Sequence, residues 1–198
     1  MHKKSVFKRL IAIWPLLFGI AVLATSNGLQ GTLLSLRGKT EGFDIQIIGI
    51  IMSVYFFGFL LGCRYIPSLI SSVGHIRVFA ALASIASTSI LIHGVFVTPW
   101  IWVLARMITG FCFCGLFIIS ESWLNQVSNK KQRGIIFSIY VSLVNGGMLL
   151  GQFLINLAPL TDVFLFALIS ILISVALAPI TLTNKPAPRH KRPHPISF

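Results

Sequence analysis

Six long apolar segments run through the sequence and leave little chain between them. A helix needs about 20 mostly apolar residues to cross a bilayer. Mean hydropathy is +0.90 and only 10% of the residues are charged, whereas a soluble domain is roughly one-quarter charged. This composition excludes a soluble globular protein, and we predict an all-α, polytopic membrane protein with six transmembrane helices. The predicted segments are residues 10–36, 45–61, 78–97, 101–124, 135–157 and 163–182.

The predicted membrane domain, residues 10–182, lies between two basic flanks. Residues 1–9 form a short N-terminal flank, and residues 183–198 form a C-terminal tail that contains four prolines among basic residues. Proline density of this kind is incompatible with a helix or a packed core. We therefore predict a disordered tail.

The basic residues predict the orientation of the chain, because short loops rich in Lys and Arg remain in the cytoplasm. With the N-terminus inside, thirteen of the sixteen bases lie in inner segments, Arg37 and Lys39 lie outside, and Arg106 lies within the fourth segment. Six crossings return the chain to its starting side, so we predict that both termini are cytoplasmic and that the chain lies in the cell inner membrane. Four tryptophans agree, since tryptophan is enriched at membrane interfaces: Trp14 and Trp123 inside, Trp100 and Trp102 outside. The bases are spread over four segments and form no single basic face, so the lipid bilayer and not nucleic acid is the expected partner.

Polar side chains inside two of the segments are candidates for a cavity, because polar groups avoid contact with hydrocarbon. In the fifth segment Asn145, Gln152 and Asn156 fall within about 40° of one another at 100° per residue. In the first segment Asn27 and Gln30 lie among small and hydroxyl residues. These amides either line a water-filled cavity or hydrogen-bond neighbouring helices, and the three-residue stripe favours a cavity.

Two charged residues inside the fourth segment are the other candidates. Arg106 is the only permanent cation within a segment, and we predict that it contacts an anionic solute or neighbours a proton relay; the alternatives are an outward reach to the interface or bonds to carbonyls. Glu121 lies 15 residues later, about 22 Å along the helix, so the two cannot pair. Glu121 is a candidate for proton coupling, while its position near the inner boundary favours the alternative, an ion pair to Arg77, Lys130 or Arg133.

Glycines at four-residue spacing predict close helix contacts. The pairs are Gly58 with Gly62 and Gly147 with Gly151, while Gly110 follows Arg106 at the same spacing. When the six segments are divided into two groups of three, each glycine pair lies in the second segment of its group. This placement predicts a 3+3 inverted repeat.

Taken together, these features resemble the N-terminal six-helix half of a major facilitator superfamily permease. The resemblance covers essentially the whole chain and rests on the polar first segment, on Arg106 and Gly110 in the fourth, on the glycine-rich fifth and on the basic stretch after the sixth. Residues 121–125 read E-S-W-L-N, similar to a poorly characterised branch of that superfamily. In the family's loop signature after the second helix, Gly74 and Arg77 match, whereas Ser71 stands where the family has an aspartate. The resemblance implies a packing or gating role for Gly74 and Arg77, as for the glycines above.

The resemblance implies a secondary transporter that moves a small solute by alternating access, with a second six-helix half completing the cavity. A separately encoded half, a homodimer and a truncated, inactive remnant are all compatible with the sequence. The alternative from another class is a six-span structural or interaction protein that transports nothing. No catalytic motif, cofactor or metal site is predicted. Cys63, Cys112 and Cys114 are an odd set in apolar surroundings and are expected to be packing residues.

Overall fold

The described part of the chain folds into a bundle of six α-helices. A computed structural model describes residues 2–128 and 132–181. The helices are α1 (His2–Thr40), α2 (Ile45–Val73), α3 (His75–Val95), α4 (Pro99–Val127), α5 (Arg133–Phe153) and α6 (Phe164–Thr181), and a 3-10 turn (Leu154–Leu157) extends α5. Five are long and apolar enough to cross a membrane, and α6 contributes a shorter apolar stretch, Phe164–Ala178. The predicted all-α bundle is confirmed, while the predicted tail, residues 183–198, lies outside the described residues.

Short connections join the first four helices. Gly42 has φ +76° in the α1–α2 turn, and Gly74 alone joins α2 to α3 with φ +95°. Such backbone angles favour glycine, which has no Cβ to clash with the following carbonyl. Pro99 begins α4, where a helix needs no backbone N–H. Each of these residues therefore ends or begins a helix within a few residues.

The helices of one three-helix group, α1–α3, pack mainly against those of the other, α4–α6. Helix α2 packs mainly on α4 of the other group, and α5 packs mainly on α1 in the same way. Helix α3 contacts α4 and α6, while α1 contacts α6. Every extensive contact therefore joins one group to the other, and exchanging the groups maps α2–α4 onto α5–α1. This arrangement is the one expected of the predicted 3+3 repeat.

Burial separates central from peripheral helices. In the most apolar stretch of α4, 61% of the residues are buried, against 22% for α2 and for α5. Large fully buried side chains such as Leu23, Phe79, Phe113 and Phe166 come from four different helices. Helices α1 and α4 thus form the centre of the bundle, whereas α2 and α5 leave most of their surface uncovered by the described chain.

Glycines bring helix backbones together at two matching crossings. A Cβ at Gly58 of α2 would overlap the carbonyl of Met107, and one at Gly110 of α4 would overlap the carbonyl of Tyr55. At the other crossing, Gly151 of α5 meets the carbonyl of Thr25, and Gly28 of α1 meets that of Met148. Each crossing is therefore a reciprocal pair of glycine–carbonyl contacts. Gly62 and Gly147 add further contacts next to them, on Cys114 and on Ala21.

Two of the four tryptophans predicted to lie at the membrane interfaces are buried in the bundle. Trp102 is fully buried, and its indole N–H donates to the carbonyls of His93 and Phe96 at 3.1 and 2.8 Å. Trp123 is 9% exposed and packs near the ring of Phe79. Because the ends of α3 and α4 lie side by side, these two tryptophans pack against protein, and their placement at the depth of the membrane interfaces stays a prediction.

Candidate solute cavity

A partly enclosed cavity of about 520 Å³ lies between α1, α2, α4 and α5. Its walls are mainly apolar and aromatic, with polar groups at a few points. It is lined by Asn27, Met52, Tyr55, Phe56, Phe59, Arg106, Phe117, Glu121, Tyr140, Val144 and Met148. Of the residues predicted to form the site, this cavity brings together Asn27, Arg106 and Glu121.

Arg106 is a buried cation without a carboxylate partner in the described part of the chain. Its side chain is 4% exposed, and its guanidinium carbon lies 4.3 Å from the centre of the Tyr55 ring. Nε and Nη1 have no hydrogen-bond partner among the described residues. Gly31 of α1 faces the group, and a Cβ there would lie 3.9 Å from Nη2, in ordinary van der Waals contact. Packing and a cation–π contact therefore hold the guanidinium, and its Nε and Nη1 donors have no acceptor among the described residues.

Asn27 and Tyr55 link α1 to α2 beside this guanidinium. The Tyr55 hydroxyl donates to Asn27 Oδ1 at 3.1 Å. Gln30, one turn further along α1, is fully buried and does not line the cavity. Neither of its side-chain amide atoms has a partner within the described residues. The polar cluster on α1 is thus split between a wall residue, Asn27, and a buried amide behind it.

Glu121 marks the other end of the cavity. Its Oε1 accepts a hydrogen bond of 2.6 Å from the hydroxyl of Tyr140 in α5. No ion pair joins it to Arg77 or Arg133 in the described structure, and Lys130 lies outside the described residues. The carboxylate is exposed and faces the cavity. Arg106 and Glu121 therefore place opposite charges at opposite ends of one space.

Three further residues of the E-S-W-L-N segment, Ser122, Trp123 and Leu124, pack within the bundle. Ser122 Oγ lies 3.3 Å from His75 Nε2 of α3, and Trp123 packs near Phe79 of the same helix. Leu124 is fully buried. Consecutive residues of this helical segment thus serve different surfaces, with Glu121 on the cavity and the next three on the packing of the bundle.

The amides of α5 do not line this cavity. Asn145, Gln152 and Asn156 are all exposed, and the amides of Asn145 and Asn156 donate to carbonyls of the same segment at 2.9 and 3.1 Å. The α-helix ends at Phe153, so Asn156 lies in the 3-10 turn and leaves the 100° spacing. Their role as solute contacts stays a prediction.

The two residues carried by the loop signature are placed at the α2–α3 corner. Gly74 supplies the left-handed backbone angle that joins the helices. Arg77 is exposed in the first turn of α3. The corner is distant in sequence from the cavity walls, and a gating role for either residue stays a prediction.

Sequence reasoning missed the aromatic walls and one sulfur contact. Tyr55 and Tyr140 supply the hydroxyls of the cavity, and a phenol within an apolar segment is the signal that marks them. Cys63 Sγ of α2 and Cys114 Sγ of α4 lie 3.3 Å apart as free thiols. This contact joins residues 51 positions apart, and periodicity carries no information about it.

A family comparison decides what kind of bundle this is. The family model described as Major Facilitator Superfamily matches residues 16–197. The chain belongs to the Major Facilitator Superfamily. Family and helices together make it a multi-pass membrane protein, and the predicted family is confirmed. The similarity of the E-S-W-L-N segment to one branch stays a prediction.

Curated relatives of this superfamily member carry the same family label. The chain is 26% identical over 169 residues to an uncharacterized MFS-type transporter of Enterobacter sp. (strain 638), covering 85% of this chain and 44% of that protein. It is 26% identical over 152 residues to the uncharacterized MFS-type transporter YcaD of Salmonella typhi, covering 77% and 39%. The YcaD protein of Escherichia fergusonii is 25% identical over 152 residues, with the same coverage. The chain thus spans about two-fifths of the length of these relatives. No solved structure matches it significantly.

Proposed function

We propose that the chain forms one half of a secondary transporter that moves a small solute across the cell inner membrane by alternating access. The observation that carries this proposal is the cavity between α1, α2, α4 and α5, with the unpartnered Arg106 in its wall. A buried cation with free donors suits a site that is filled in only part of a working cycle. The base distribution supports placing both termini in the cytoplasm.

A second six-helix half completes the cavity in this proposal. Three observations support it: the cavity is only partly enclosed, α2 and α5 are largely uncovered, and the relatives are more than twice as long as the stretch they share with this chain. In this proposal Asn145 and Gln152, which are exposed on α5, face the second half.

Native mass tests the proposed assembly. The tagged protein is extracted from its own membrane in mild detergent, and every chain that co-purifies is identified by mass spectrometry. We expect a one-to-one complex with a second six-span chain, or a dimer of twice 21.8 kDa. A species of 21.8 kDa alone would contradict the two-half transporter and favour the structural or remnant alternative.

Within this proposal Glu121 carries the coupled proton. We expect Glu121→Gln to abolish solute-driven proton movement while leaving solute exchange, because glutamine keeps the Tyr140 hydrogen bond but cannot be protonated. Vesicles containing the purified protein and a pH dye are challenged with a panel of carboxylates, amino acids, sugars and organic cations. Solutes that give a wild-type response are then tested for exchange against preloaded labelled solute.

Asp44→Asn is the matched control for this variant. Asp44 is an exposed acid before α2, makes no capping hydrogen bond and lies outside the cavity. Asp44→Asn changes the net charge by the same amount as Glu121→Gln. Proton movement that survives Glu121→Gln unchanged would eliminate this residue as the coupling site.

A further inference from the structure

We infer that the cavity takes an amphipathic monoanion, with its carboxylate on Arg106 and an apolar or aromatic body along the α2, α4 and α5 walls. This inference names the solute class for the proposed transporter and rests on that proposal. It follows from three properties of the cavity walls: one unpaired cation, one carboxylate at the far end, and apolar side chains between them.

The cation selects an anionic group. Arg106 is 4% exposed and its Nε and Nη1 are unpartnered in the described chain. Burying a guanidinium without an anion leaves its donors unsatisfied, and each unsatisfied donor is costly. A planar carboxylate accepts two parallel hydrogen bonds from a guanidinium. Tyr55 lies along the face of the same group, so a carboxylate would bind at the edge that carries the nitrogens, of which Nε and Nη1 are buried in this conformation.

The acid at the far end restricts the solute to a single charge. Glu121 faces the same cavity about 22 Å along α4 from Arg106. A dicarboxylate long enough to fill the space would bring its second charge towards the Glu121 carboxylate, and like charges in a cavity of low polarity repel strongly. A neutral or apolar far end meets no such penalty.

The walls between the two charges exclude strongly polar solutes. Phe56 and Phe59 of α2, Phe117 of α4 and Val144 and Met148 of α5 offer no hydrogen bonds from their side chains. A sugar or an inorganic anion would lose water there without replacement, at a cost for every hydroxyl. Aromatic and alkyl groups instead gain from burial and from ring contacts. The volume of about 520 Å³ lies within the range of pockets that hold drug-sized molecules.

Binding of three small probes tests this inference without measuring transport. The protein, with any co-purifying chain, is placed in lipid nanodiscs and titrated by calorimetry with 2-naphthoate, with its neutral analogue 2-naphthamide, and with lactate as a small hydrophilic carboxylate. We expect saturable binding of 2-naphthoate and about 10- to 100-fold weaker binding of each other probe, since one probe lacks the charge and the other lacks the apolar body.

Variants separate the charge of Arg106 from general damage. Arg106→Gln is expected to reduce 2-naphthoate affinity to that of 2-naphthamide and to leave 2-naphthamide unchanged. Arg64→Gln removes an exposed base of α2 outside the cavity and is expected to leave both affinities at wild-type values. Phe117→Ser is expected to weaken 2-naphthoate at least 10-fold. A single symmetric peak in size-exclusion chromatography shows that each variant is folded.

Several results would overturn the inference. Equal affinity for 2-naphthoate and 2-naphthamide, 2-naphthoate binding that survives Arg106→Gln, tighter binding of lactate than of 2-naphthoate, or no binding of any probe at millimolar concentration would each do so. The proposed transporter would survive any of these, because its assembly and its solute-driven proton movement are measured independently. A solute of another class in the dye screen would then replace the amphipathic monoanion.

Discussion

Gly151→Val is expected to abolish the folded bundle, whereas Gly146→Val in the same helix is expected to be tolerated. A Cβ at Gly151 would overlap the Thr25 carbonyl and lie 2.6 Å from the backbone nitrogen of Leu29. Both neighbours are backbone atoms of a central helix and cannot rotate away. Nothing lies within 4 Å of a Cβ built at Gly146. Overpacking of this kind costs about 1–3 kcal/mol and more where the backbone cannot shift.

The measurement is the yield and the melting temperature of monodisperse protein in one detergent. The second crossing offers an independent pair within α2, because Gly58 meets the Met107 carbonyl and Gly49 has nothing within 4 Å. We expect Gly58→Val to lose folded protein and Gly49→Val to keep it. Valine carries the same propensity cost at every one of these positions, so equal loss in all four variants would show that helix propensity, and not the crossings, decides the result.

Sequence spacing predicts which glycines lie at helix crossings, but not the turn at which two helices cross. The four-residue spacing predicts that Gly58, Gly62, Gly147 and Gly151 lie at close contacts, and all four do. In the reciprocal carbonyl contacts Gly58, the first glycine of its pair, corresponds to Gly151, the second glycine of the other pair. Spacing is a property of one helix. The turn at which a glycine meets a carbonyl depends on where two helices cross, which loops and packing determine.

For polar residues, too, the sequence predicts only part of the candidate site. Hydropathy identifies Asn27, Arg106 and Glu121 as exceptions in apolar segments, and the cavity contains all three. The same reasoning selects Asn145 and Gln152, which are exposed on α5. Periodicity places residues on one face of a helix but does not say whether that face meets protein, lipid or a partner. The phenylalanines of the cavity wall could not be predicted, because a phenylalanine that lines a cavity and one that faces lipid look alike in sequence.

Arg106→Met is expected to raise the thermal stability of the protein while removing its anion site. The guanidinium is 4% exposed, and two of its nitrogens have no partner among the described residues. Each unsatisfied buried donor costs about 1–3 kcal/mol, while the cation–π contact with Tyr55 returns about 2 kcal/mol. Methionine fills similar space without charge or donors. These terms leave a net gain of up to about 4 kcal/mol, and each kcal/mol corresponds to about 2–4 °C in melting temperature for a chain of this size.

The melting temperature is measured for the unliganded protein in detergent, with Arg64→Met as the control for loss of an exposed base. We expect Arg64→Met to melt with the wild type and Arg106→Met to melt higher, yet to gain nothing from added 2-naphthoate, which should stabilise the wild type by mass action. A lower melting temperature for Arg106→Met would mean that a partner chain or bound water already satisfies the guanidinium. A stabilised variant without ligand response would instead show that Arg106 is maintained at a cost in stability, as expected for a residue whose partner is the solute.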